Sequence, residues 1–185
     1  MKADRAEADA WVSRFLQGWP RARRALAVQL VMAYGRPQDA TYHRITWYAN
    51  EPWTRTTLYR FAVRHNFPLP HQDVLEQTVD YRVPAAKMSD LAAYNGSLVC
   101  DRTRGELSAH CDTEQQNRIV LNIADDIVTG QRSVDDALAY HAQIIRGMQD
   151  RMPESYPFKL KFKILPSSKT ADPGHVAELL KHLGE

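Results

Sequence analysis

Two cysteines in 185 residues cannot supply a disulfide framework, and a net charge of +2, from 24 basic against 22 acidic side chains, gives no global field towards DNA or anionic lipid. With 8 glycines and 10 prolines the chain is neither collagen-like nor low in complexity. No apolar run has the length of a membrane span. The opening Met1–Ala10 stretch is charged and lacks the apolar core of a secretion signal, which leads to the expectation of a cytoplasmic protein with both thiols free. Nucleotide-binding loops, nucleophile elbows, zinc-finger spacings and HExxH signatures are also missing.

What is there is an ordinary globular composition, 44% apolar and 25% charged. Its length suits a single domain, 1–185, with a core that needs no staples. Ala8, Trp11, Val12, Phe15 and Leu16 fall at i, i+3, i+4 spacing and predict a first helix ending near Gly18. Pro20 suits the first turn of a second, from about Arg21 to Tyr34 through Leu26, Leu30 and Ala33, completing an N-terminal helical pair over 1–35.

A sheet region is expected over 41–112. Ile45 and Trp47 alternate with Arg44, Thr46 and Tyr48, Asn50-Glu51-Pro52 reads as a turn, and Trp53–Ala62 as the partner strand. Arg64–Asp73 holds Pro68 and Pro70 and reads as a stiff extended connection. From Val74 the alternation returns, with Leu75, Val79, Tyr81 and Val83 on one side and Glu76, Thr78, Asp80 and Arg82 on the other. A short helix from Pro84 to Tyr94 is expected to leave through a left-handed Asn95-Gly96.

Ser97–Asp112 reads as a hairpin. A two-residue turn at Gly105-Glu106 would set Cys100 opposite Cys111 and Asp101 opposite His110. A slip to Arg104-Gly105 changes the partners but not the faces. Leu98, Cys100, Leu107, Ala109 and Cys111 share one face with Arg102; Asp101, Thr103, Ser108 and His110 share the other.

A helical pair follows over 113–150. Thr113 and Gln116 stand in capping-box spacing before the stripe Ile119, Val120, Ile123, Ile127, Val128, and Ser133 with Asp136 opens a helix burying Ala137, Leu138, His141, Ile144, Ile145 and Met148. Over 157–185 a closing strand is expected, in which Phe158, Leu160, Phe162 and Ile164 alternate with three lysines, and then a C-terminal helix. The fold class is thus α+β: an antiparallel sheet of five or six strands with N-terminal helices and a helical pair packed on one face.

Three clusters carry chemistry. His65, His71, Asp73 and Glu76 offer imidazole and carboxylate ligands for a divalent metal, and in an extended chain His71 and Asp73 point the same way. Glu76, Asp101 and His110 would make an acid–base site if their strands were neighbours. Arg82, Asp80, Thr103 and Ser108 on the polar face, with Arg102 towards the hairpin turn, would hold a small anionic ligand or a protein segment. Arg21–Arg24 and Lys159–Lys163 lack an interleaved aromatic platform or a docking motif, so nucleic acid is not an expected partner. The functional expectation is a binding or interaction protein using the polar face and the Arg64–Asp73 loop, with a metal-assisted enzyme as the alternative. His141, on an apolar stripe, reads as a hydrogen-bonded core histidine, and Trp11, Trp47 and Trp53 as core.

Overall fold

The computed structural model describes residues 4–150 and 158–164. Asp4 caps α1 (Arg5–Phe15) by accepting from the Glu7 amide, and α2 (Arg21–Tyr34) starts directly after Pro20. Then come β1 (Asp39–Ala40), β2 (Arg44–Asn50), β3 (Trp53–His65) and β4 (His71–Asp80), a single turn of tighter helix at Ala85–Lys87 and α3 (Met88–Tyr94). β5 (Leu98–Asp101), β6 (Glu106–Cys111), α4 (Glu114–Val128) and α5 (Val134–Asp150) follow. The six strands form one antiparallel sheet in the order β1-β2-β3-β4-β6-β5.

Register shows that the helices lie on one side. Ile45 faces Leu58, Leu58 faces Leu75 and Leu75 faces Cys111; one step along, Gln77 faces Ala109 and Val79 faces Leu107. Side chains directly opposite one another share a face. α1 and α2 cover Ile45, Trp47, Leu58 and Leu75, while α3, α4 and α5 cover Val79, Leu107 and Ala109. The other face, with Arg44, Thr46, Tyr48, Arg55, Thr57, Tyr59 and Glu76, carries no helix among the described residues.

α4 is the hub. Ile119, Val120, Leu121, Ile123, Ala124 and Ile127 are buried, more than one stripe can hold, because the helix touches the sheet, α5 and the 158–164 segment. Its polar residues bind by name: Asn117 donates to the Leu75 carbonyl and to Gln77 Oε1, and Thr113 caps it by accepting from the Gln116 amide.

Several expectations are corrected. The Ser97–Asp112 hairpin pairs Asp101 with Glu106 and Cys100 with Leu107, not Cys100 with Cys111 or Asp101 with His110. Its loop is four residues, Arg102–Gly105, because Asp101 Oδ1 accepts the Arg104 amide at 2.9 Å and Gly105, at φ 69°, returns the chain. The predicted faces stand, but Arg102 and Thr103 leave the strands for the loop. Asn95 is extended at φ −153°, not left-handed, and its side chain takes the Ser97 amide. Phe15 and Ala33 are exposed, and α2 is buried instead through Ala27, Val28, Leu30 and Val31.

The closing strand is not a strand. Residues 159–164 alternate in burial as expected, but Phe158 is exposed, and the segment joins no sheet. Their pairing partner is a side chain: fully buried Asn122 on α4 donates to the Lys159 carbonyl (2.9 Å) and accepts the Lys161 amide (2.8 Å), as a neighbouring strand would. Lys161 Nζ and Arg132 both meet Asp126, and Phe162 packs edge-on against Tyr81. The expected C-terminal helix and the Met148 side chain lie outside the described residues. No helix among the described residues is long and apolar enough to cross a membrane.

Candidate metal centre

Half of the predicted Arg64–Asp73 connection is strand. β3 continues to His65, β4 begins at His71, and only residues 66–70 turn between them. Partway along, four residues of β3, Tyr59–Ala62, stand against the single Val74 of β4, between the pairs Leu58↔Leu75 and Val63↔Asp73. Leu58 and His65 are seven positions apart, so simple alternation would point them to opposite faces. The bulge re-aims the chain and sets His65 directly opposite His71.

The result is a converging trio. One donor atom from each of His65, His71 and Asp73 lies within 4.8 Å of the other two. His71 Nε2 is 3.0 Å from Asp73 Oδ1, and His65 Nδ1 is 3.4 Å from Asp73 Oδ2. Nitrogen and oxygen ligands at about 2.0–2.1 Å from a tetrahedral zinc stand about 3.3 Å apart, so these separations are those of neighbouring ligands. Glu76, the fourth predicted ligand, is excluded by strand alternation: it is an odd number of residues from Asp73 and projects from the uncovered face.

Hydrogen bonds fix the protons. His71 Nδ1 is 2.8 Å from the Leu69 carbonyl, which can only accept, so Nδ1 carries the hydrogen and neutral His71 presents a lone pair at Nε2. That lone pair meets Asp73 Oδ1, which has no hydrogen bond although Asp73 is only 6% exposed. Two lone pairs at 3.0 Å repel, and a buried carboxylate oxygen without a partner is costly. A cation between them removes both penalties. A backbone carbonyl holding the far nitrogen is also the usual support of a metal-ligating imidazole. The other carboxylate oxygen, Oδ2, is held by Ser97 Oγ, which donates a short hydrogen bond to it.

Cys111 stands beside the trio, its Sγ 3.3 Å from His71 Nε2, without converging on all three donors. Burial, with the Asp112 and Asp73 carboxylates, pushes its thiol well above the ordinary range. Burial lowers the His65 pKa, against the attraction of Asp73. The two imidazoles of the trio open on a cavity of about 170 Å³ lined by Phe67, Pro68, Leu69, Val120 and Ile145 as well as Cys111 and His141. His141 is the expected core histidine, 1% exposed with Nδ1 3.0 Å from the Tyr94 hydroxyl, but its Nε2 is unpartnered. Burial and the neighbouring His71 and His65 bring its pKa down to about 4, so the ring is neutral.

The polar face assembles differently from the expected acid–base site. Glu76 and His110 do meet, at 3.0 Å, but Asp101 turns to Arg104. Although burial opposes ionisation, hydrogen bonds from His110 and Tyr59 and the charges of His110 and Arg55 bring Glu76 down to about 2. A carboxylate held that low stays ionised near neutrality, where it accepts from His110, Tyr59 and Arg55. Of the anticipated anion-binding residues, Asp80 accepts from Thr54, Ser108 pairs with Thr78, Arg82 is exposed past the end of β4, and Arg102 and Thr103 sit in the β5–β6 loop. Sequence reasoning missed Arg55 and Tyr59, which bind Glu76 from β3; their alternation was visible, but not the order of the strands.

No known family model, curated protein or solved structure matches the chain.

Proposed function

We propose that the protein binds one divalent transition-metal ion, of the zinc class, through His65, His71 and Asp73, and uses the remaining coordination position for Lewis-acid chemistry on a small molecule. Two imidazoles and one carboxylate with a position left open are the ligand set of catalytic rather than structural zinc. The observation that carries the reading is the buried Asp73 Oδ1, without a hydrogen bond and 3.0 Å from His71 Nε2, the nitrogen left with a lone pair when the ring is neutral and Nδ1 donates to Leu69. In this reading His71 is oriented by Leu69, Asp73 is oriented by Ser97, and the cavity admits the molecule acted on. The ion would supply polarisation of a bound oxygen; the chain supplies geometry and exclusion of bulk water.

The reading retains the metal alternative drawn from the sequence and sets aside the polar-face binding module, whose expected residues are scattered or internally satisfied. Elemental analysis of untagged protein purified without chelator tests it. About one equivalent of metal is expected, and it is lost in His71→Ala while circular dichroism stays native. Equal metal in wild type and His71→Ala overturns the proposal.

A further inference from the structure

The ion's neighbourhood also bounds what it meets. A cavity of about 150 Å³ lined by aliphatic and aromatic side chains holds a benzene-sized guest, so the 170 Å³ here accommodates about six or seven non-hydrogen atoms. Phe67, Leu69, Val120 and Ile145 form the apolar part of its lining; the ligand histidines and Cys111 line it too, together with polar residues that include Asn95, Asp112, Gln116 and His141. Asp73 does not line the space, standing behind the imidazoles. Any molecule inside therefore has its apolar part against α4, α5 and the 66–70 turn and its donor end at the metal. Leu69, 44% exposed, marks the side from which the space is reached.

Resting on the metal reading, we infer that the site takes a small molecule of one kind: a short aliphatic or single-ring compound of at most about seven non-hydrogen atoms, with one oxygen, nitrogen or sulfur donor that completes the metal's coordination. The apolar lining also sets a graded preference. Each methylene buried against it tightens binding about fourfold until the space is full, after which added length has nowhere to go.

Cobalt(II) and straight-chain alkanethiols from ethanethiol to octanethiol are the probes, because thiolate binding to cobalt produces a charge-transfer band in the near ultraviolet. Chelated protein is loaded with one equivalent of cobalt, its visible spectrum recorded, and each thiol titrated in. Affinity is expected to rise about fourfold per methylene and to level off or fall beyond about seven non-hydrogen atoms. Ile145→Phe, which fills the half-buried wall on α5, is expected to keep the cobalt spectrum and move the break to shorter thiols. If cobalt fails to bind, the metal reading falls and this inference with it. If cobalt binds but thiols leave the spectrum unchanged, or bind with no dependence on length, the metal reading stands and the inference alone is overturned.

Discussion

Replacing Asp73 by asparagine separates a metal site from an ordinary ion pair by the sign of one stability change. In chelated protein with a neutral His71, its Nε2 presents a lone pair to Asp73 Oδ1 at 3.0 Å, and that oxygen has no hydrogen bond. Asparagine has the same shape. Its carbonyl can still accept from Ser97, and its amide can donate to His71 Nε2, turning a repulsion into a hydrogen bond. A net hydrogen bond contributes about 1 kcal/mol, and relief of the unpartnered oxygen adds a similar amount. For a chain of this size about 1–2 kcal/mol raises the melt by roughly 2–8 °C. With zinc at about 100 times its dissociation constant the order reverses, because wild type gains about 2.7 kcal/mol from the ion and the variant loses a ligand. Paired thermal melts in EDTA and in zinc measure both signs. If His71 and Asp73 form a plain imidazolium–carboxylate pair, Asp73→Asn breaks a buried ion pair at a cost of about 3–5 kcal/mol and lowers the chelated melt. That result refutes the reasoning.

The polar face makes a second test. Glu76 titrates at about 2 in the folded protein against an ordinary 4.5, so its ionised form stabilises the fold above pH 4.5 and that stability drains away as pH falls towards 2. Glu76→Gln is expected to lower the neutral melt, by up to about 3 kcal/mol, and to flatten the acid limb of stability against pH. An unchanged acid limb would sink the assignment, and the metal content of the variant should equal that of wild type because Glu76 lies on the other face. Asn122→Ala removes both bonds to the 158–164 segment and should cost about 2 kcal/mol while speeding amide exchange at Lys161. Unaltered exchange there would show that the segment is held by other contacts. Cys111→Ser should leave metal stoichiometry unchanged, and loss of the ion would enlist the thiol as a ligand.

The faces of the sheet were legible because alternation depends only on a period of two: Ile45 with Trp47, and Leu107 with Ala109, fall on the buried side as read. Register was not legible, since it turned on one side chain, Asp101, accepting an amide inside its own loop. His71 and Asp73 could be paired from their i, i+2 spacing in an extended chain. Glu76 could not be excluded until the strand was known to run unbroken from His71, which puts it on the opposite side. His65 depends on the Tyr59–Ala62 bulge, for which no turn residue gives a signal. The 158–164 alternation was real, but alternation reports a half-buried extended chain and does not say whether the pairing partner is a strand or, as here, the amide of Asn122.

Extended X-ray absorption at the zinc edge of protein reconstituted with one equivalent of zinc tests the central claim most directly. His65, His71 and Asp73 with one further donor should give a shell of four nitrogen or oxygen atoms at about 2.0–2.2 Å, outer-shell scattering from two imidazoles, and no sulfur at about 2.3 Å. A six-oxygen shell without imidazole, or a sulfur-containing shell, would contradict it.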